Sequence, residues 1–239
     1  SGDFLRVNPE IVLGLAPVAA PCSPRALGIR SRWVAALLSA LLVGCSSPAR
    51  RAENNPAAAS GKPVVLTTFT VLADLARQVA GDRLEVRSIT KPGAEVHGYE
   101  PTPSDLEAAQ GASLIVQNGL GLERWADRFV ASSGKVPTVT LSQGMQPVLI
   151  EGDVAAGKPN PHAWMSPKRA EHYVDRLVAA FSNLDPAGAA GYRQRGDAYK
   201  QQLKALDADL RQALAQVPPN HRLLVSCEGA FSYLARDYG

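Results

Sequence analysis

From residue 62 onward the chain switches repeatedly between short apolar runs and helical stretches, and that alternation admits few folds. Val64–Phe69 reads as a buried strand, and Val71–Ala80 as a helix closed by Gly81. Leu84–Thr90 alternates as a strand does, and Ser113–Gln117 and Val136–Leu141 read as further strands with a helix over Leu122–Val130 between them. Thr102-Pro103-Ser104-Asp105 opens another helix. Thr102 caps it, Pro103 takes the first helical position, where a missing N–H is no loss, and Asp105 reaches back to close the box. Strands separated by helices of this length pair in parallel through βαβ crossovers. The fold class is therefore α/β, and sites in such sheets lie where loops converge beyond the carboxyl ends of the strands.

After residue 166 the pattern changes. Pro167 to Leu184 is one amphipathic helix, with Tyr173, Leu177, Val178 and Phe181 sharing a stripe. Asp185-Pro186 breaks it, a second long helix covers Ala187–Val217, and Pro218-Pro219-Asn220 ends that one. Arg222–Ser226 reads as a new strand and Phe231–Asp237 as the start of its helix. A single strand and helix cannot bury themselves, so the chain is expected to stop inside a second, incomplete domain.

The net charge of +3 has a location. Residues 1–60 hold Arg6, Arg25, Arg30, Arg32, Arg50 and Arg51 against Asp3, Glu10 and Glu53, while acids and bases balance in the remainder. Nothing in the folded part calls for nucleic acid. Residues 1–24, with Pro21 and Pro24, show no sustained period and are expected to lie outside the mature protein. Arg25, Arg30 and Arg32 then precede the apolar run Trp33–Val43, which ends Leu42-Val43-Gly44-Cys45. Basic residues, a short apolar run and a small residue at the cut make a secretory signal; the run is too short for the ~20 residues of a spanning helix. Cysteine directly after the small residue resembles a bacterial lipoprotein signal, which implies an acylated Cys45 as the first mature residue. Ser46–Gly61, rich in Ala, Ser, Pro and Asn, reads as a tether. Cys227 is then unpaired: either a small buried residue or half of a disulfide whose partner lies beyond Gly239.

Two segments place histidine among turn-formers at strand ends: Pro92-Gly93-Ala94-Glu95-Val96-His97-Gly98-Tyr99-Glu100-Pro101, and Asn160-Pro161-His162-Ala163-Trp164-Met165-Ser166-Pro167. A third, Ser226-Cys227-Glu228-Gly229-Ala230-Phe231, sets a carboxylate at the end of the expected strand Arg222–Ser226. Taken singly, each has a plain explanation. His97 could be a surface loop residue, His162 could pack at the start of the long helix, and Glu228 could bond the N–H groups of the helix that follows.

Taken together and in order, these runs resemble the manganese- and zinc-specific solute-binding receptors of ABC importers, with a cysteine before Glu228 as in the cyanobacterial manganese receptors. The resemblance covers Lys62 to Gly239. It implies two parallel-sheet βα lobes (62–166, and the incomplete 186–239) joined by a single long helix (167–185), following a leader (1–45) and a tether (46–61). It implies a metal in the inter-lobe cleft, held by His97 and His162 from the first lobe and Glu228 from the second, with a fourth carboxylate expected beyond Gly239. It further implies a non-catalytic, monomeric, lipid-anchored receptor on the periplasmic or outer face of the cytoplasmic membrane. The permease and ATPase would be separate chains, since no P-loop is present here.

Two imidazoles with carboxylates form a mixed site leaning towards harder ions. Zinc receptors of this family generally carry histidine at the third position, often with a histidine-rich loop before the second ligand. Here position 228 is Glu and 144–160 contains no histidine, which favours Mn2+ over Zn2+ as the ligand. Manganese is nevertheless weak in the divalent affinity order, so zinc can bind such a site in vitro at least as tightly. Glu100 and Asp105 are candidates to orient the His97 imidazole, although capping suits Asp105 better. His172 and His221 are not assigned to metal. Two other readings are open: a metal-dependent hydrolase, for which no His-Glu-x-x-His helix or nucleophile elbow is found, and a surface adhesin, for which no adhesive repeat is found.

Overall fold

The computed structural model describes residues 61–151, 154–224 and 229–239. The leader, Cys45, the tether up to residue 60, Cys227 and Glu228 lie outside the described residues.

The four apolar runs form one parallel sheet: β1 (Val64–Thr67), β2 (Glu85–Ser88), β3 (Leu114–Gln117) and β4 (Thr138–Thr140), in the order β2-β1-β3-β4. Val65 lies opposite Val86 on one side and Leu114 on the other. The crossovers are α1 (Thr70–Ala80), α2 (Pro103–Gln110) and α3 (Arg124–Ser132). Successive strand residues point to opposite faces, and both faces are covered. Val65, Leu114 and Val116 pack with Leu72 and Val79 of α1, while Leu66 and Ile115 pack with Ala109 of α2 and Phe129 of α3. Two-sided burial explains why the central strands β1 and β3 are largely apolar, while the edge strands β2 (Glu-Val-Arg-Ser) and β4 (Thr-Val-Thr) carry polar residues.

The capping box expected at α2 is present, with the Thr102 hydroxyl accepting from the Asp105 N–H and the Asp105 carboxylate accepting from the Thr102 N–H. Strand β2 is shorter than the alternation of Leu84–Thr90 suggests. Its backbone nevertheless continues to pair, Ile89 N–H with Thr67 O at 2.8 Å and Thr90 N–H with Thr68 O at 3.3 Å.

Helix α4 (Pro167–Leu184) has the bounds expected from its stripe, and it lies in the core, with Tyr173, Val174, Leu177 and Phe181 buried. A short 3-10 turn over Pro186–Gly188 leads into α5 (Ala189–Ala215). The first half of α5, grouped by sequence with the second lobe, packs on α1 and α4. Arg195 donates to Val79 O at 2.7 Å and Ala80 O at 3.0 Å, capping carbonyls that α1 leaves unsatisfied at its end.

The expected strand Arg222–Ser226 is not found over its described part. Arg222–Leu224 lie in no strand, and Leu223 and Leu224 are 83% and 54% exposed. Apolar composition gives a strand only where a neighbour takes up its N–H and C=O groups, and no described strand lies beside this segment. The helix after it does form, as α6 (Ser232–Tyr238), and its Tyr233 is fully buried in the core of the first sheet's helices. Among the described residues there is one sheet, and no helix is long and apolar enough to cross a membrane.

Candidate functional site

The loop after β2 carries His97, and local bonds give it shape. The Glu95 carboxylate accepts from the His97 N–H at 2.9 Å and the Gly98 N–H at 2.7 Å, and these bonds hold its pKa below the usual carboxylate value. Trp125 of α3 donates its indole N–H to Val96 O at 2.8 Å, and its ring meets Tyr99 with centroids 5.1 Å apart. The loop is thus fastened to α3 on both sides of His97.

The second loop leaves an antiparallel bridge between Leu149 and Pro159 and turns through Asn160-Pro161-His162 into α4. A buried polar network at the end of β3 supports it from beneath. Asn118 donates to Pro161 O at 2.9 Å and accepts from the Tyr173 hydroxyl. The Glu123 carboxylate accepts from Asn118 N–H (2.7 Å), Gly119 N–H (3.1 Å) and the Thr68 hydroxyl (2.7 Å). Burial pushes the Glu123 pKa up, and the three donors only partly oppose it. Between these partners the chain runs through Gly119, Leu120 and Gly121 at φ of 87°, 55° and 77°. Leu120 is a bulky residue in the left-handed region, a position that surrounding structure must impose.

These two loops bring His97 and His162, 65 residues apart, into contact. Their Nε2 atoms are 3.3 Å apart and the ring centroids 5.3 Å apart. His97 is exposed, whereas His162 is nearly buried and packs on Trp164, which in turn meets Phe69. They face a cavity of about 560 Å³ lined also by Leu120, Arg124, Lys158 and Gly229. Two nitrogens each about 2.0–2.1 Å from a tetrahedral ion lie about 3.3 Å apart, so the pair is spaced to share one metal with little rearrangement.

The remaining sequence candidates fall as follows. Glu228 is outside the described residues, but Gly229 beside it lines the cavity. Asp105 serves the α2 cap and also accepts from the Tyr99 hydroxyl at 2.9 Å. Glu100 lies on a neighbouring hollow with Trp125 and Arg128. The carboxylate that holds the His97 loop is Glu95, which sequence reasoning passed over, along with Asn118, Glu123 and Asn160. Glu95, two residues before His97, and Asn160, next to Pro161-His162, stood close enough to the motifs to have been noticed. His172 bonds Gln143 O at 2.9 Å, and His221 sits in an exposed 3-10 turn. Among the described residues no third His, Cys, Asp or Glu joins the histidine pair.

Comparison with known proteins gives the family. The family described as "ZnuA: Zinc-uptake complex component A periplasmic" matches residues 65–239. The chain is 48% identical over 193 residues to the iron-binding protein YfeA of Yersinia pestis, covering 81% of this chain and 62% of that protein. It is 32% identical over 213 residues to the manganese ABC transporter substrate-binding lipoprotein PsaA of Streptococcus pneumoniae, covering 86% and 68%. Among solved structures, the Mn-bound periplasmic metal binding protein from Candidatus Liberibacter asiaticus superposes with a TM-score of 0.69 at 31% identity, covering 74% of this chain and 66% of that one. The chain thus spans about two-thirds of the length of these relatives. With a family match running from β1 to the last residue, the chain belongs to the ZnuA family, that of the periplasmic component A of zinc-uptake complexes.

Proposed function

We propose that this chain is the metal-capturing part of an extracytoplasmic receptor that binds a divalent transition-metal ion and delivers it to an ABC permease. The receptor is a carrier and not an enzyme. The observation that carries the reading is the 3.3 Å approach of His97 Nε2 and His162 Nε2 at the wall of an open cavity. Glu228 is the third ligand in this reading, and a further carboxylate completes the set in the whole protein. Charge supports that composition, because Arg124 and Lys158 line the same cavity. A dication beside two cations needs anionic ligands to be held. Cys45 carries the lipid that keeps the receptor at the membrane, with the permease and ATPase as separate chains.

Mn(II) is the cargo this ligand set favours, since Glu in place of a third imidazole moves the site towards harder ions. Zinc is the second reading, favoured by the tetrahedral spacing of the two nitrogens. The relatives' names span iron and manganese, and the family's name gives zinc. The test is metal analysis of the full-length protein purified from its native compartment, beside a Glu228→His variant. Manganese in the wild type and a shift to zinc in the variant are expected. Zinc alone in both would end the manganese assignment.

A further inference from the structure

Asn160 is 1% exposed, and its side-chain amide is fully engaged. Its Oδ1 accepts from the His162 backbone N–H at 3.0 Å and lies 3.0 Å from His162 Nδ1. Its Nδ2 donates to Gly229 O at 2.7 Å and to the Ser232 hydroxyl at 3.1 Å. An amide has two lone pairs and two N–H groups, and each of the four has a partner here. The backbone is fixed as well: the Tyr233 hydroxyl donates to Asn160 O at 2.8 Å and accepts from Val148 N–H at 3.2 Å.

This arrangement fixes a hydrogen on one ring nitrogen. A backbone N–H can only donate and a carbonyl oxygen can only accept, so Oδ1 must face His162 N and Nδ2 must face Gly229 O. His162 Nδ1, facing the same Oδ1, must then carry a hydrogen. A neutral imidazole protonated at Nδ1 has its lone pair on Nε2, and His162 Nε2 is the atom 3.3 Å from His97 Nε2.

We infer that Asn160 is a positioning residue of the metal centre: one arm of its amide fixes the His162 tautomer whose lone pair is on Nε2, and the other ties that histidine to the segment that begins at Gly229. The inference rests on the metal-receptor reading above. Removing Asn160 would free His162 to place its proton on Nε2 and would release the Gly229 backbone from the histidine loop.

The test uses full-length, metal-free protein with 15N-labelled histidine. Long-range 1H–15N correlation reports the tautomer, and competition with a chromogenic chelator reports Zn(II) and Mn(II) affinity. Wild type is expected to show His162 as the Nδ1–H form. Asn160→Ala should lose that preference and bind both metals about 10–100-fold more weakly, the usual effect of losing an outer partner of a ligating histidine. Asn160→Asp keeps the acceptor and should keep the Nδ1–H form, with a smaller loss of affinity. An Asn160→Ala protein with wild-type tautomer and affinity would overturn the inference. Should that variant not fold, a His162 protonated at Nε2 in Asn160→Asp would overturn it instead. The underlying reading fails separately: if His162→Ala binds both metals as tightly as wild type, the placing of the metal at His162 falls, while the tautomer measurement still reports on Asn160.

Discussion

Arg169, in the first turn of α4, forks onto Asp237 of α6, its Nε and Nη2 donating at 3.0 and 2.9 Å across 68 residues. The Ser166 hydroxyl adds a third bond at 2.7 Å, and the Asp237 side chain is only 5% exposed. Arg169→Ala would leave a buried carboxylate without its charge partner, which costs about 3 kcal/mol. Urea denaturation of the full-length protein should show that loss; a change below about 0.5 kcal/mol would mean that the Arg169–Asp237 pair does not hold α6 in place.

The same pair predicts an acid response. Burial pushes the Asp237 pKa up, but the bonds from Arg169 and Ser166 outweigh it and hold the group below its ordinary value. A depressed folded pKa means that the native state binds fewer protons than the unfolded one. The pair's stabilisation is therefore present above about pH 4 and lost as pH falls through the depressed pKa. Arg169→Ala should flatten the acid limb of the stability profile, and an unchanged limb would assign it to other carboxylates.

Glu123 should act with the opposite sign. Its folded pKa lies above the usual value because of burial, so its contribution is full below about pH 4.3 and declines as pH rises through the folded pKa. Glu123→Gln should remove that decline. Glu123→Ala should do more damage, about 2–4 kcal/mol, because it strands the Asn118 and Gly119 N–H groups and the Thr68 hydroxyl. Thermal melts from pH 4 to 8 would separate the two effects, and identical profiles for wild type and Glu123→Gln would contradict the assignment.

Gly196 sits where α5 crosses α4. A Cβ there would lie 2.4 Å from Val178 Cγ2, and Val is stiff at χ1, so the neighbour cannot turn aside. Overpacking of about 1–3 kcal/mol should outweigh the ~1 kcal/mol helix-propensity gain of Gly→Ala. Gly196→Ala is expected to lower stability, and adding Val178→Ala to relieve the clash. Were the double variant no more stable than the sum of the two singles, the close approach would not be the cause.

Metal affinity is the direct check on the histidine pair. His97→Ala and His162→Ala should each weaken Zn(II) and Mn(II) binding by more than the ~100-fold limit of an outer-partner loss. His172→Ala, whose ring bonds Gln143 O, should leave affinity as it was. Equal effects from all three would argue against a site at the pair.

The βα alternation, the α2 capping box and the bounds of α4 were legible because each is local: period, cap chemistry and proline placement are properties of neighbouring residues. The strand expected over Arg222–Ser226 was not found over its described part, Arg222–Leu224, because a strand exists only beside another, and no window of sequence reports its neighbour. His97 and His162 were recognisable from the motifs around them. Glu95 and Asn160 stand inside those motifs, but nothing local marks them as supports, and Asn118 and Glu123, which brace the second loop from beneath, lie in no motif.

The sequence by itself determined the α/β class and which two histidines to watch, since hydrophobic period and motif order are written along the chain. Tertiary structure decided that His97 and His162 meet with their Nε2 atoms 3.3 Å apart, and that a buried amide faces the other ring nitrogen of His162. Both depend on contacts between residues far apart in sequence, formed when parallel strands bring their carboxyl ends to one edge.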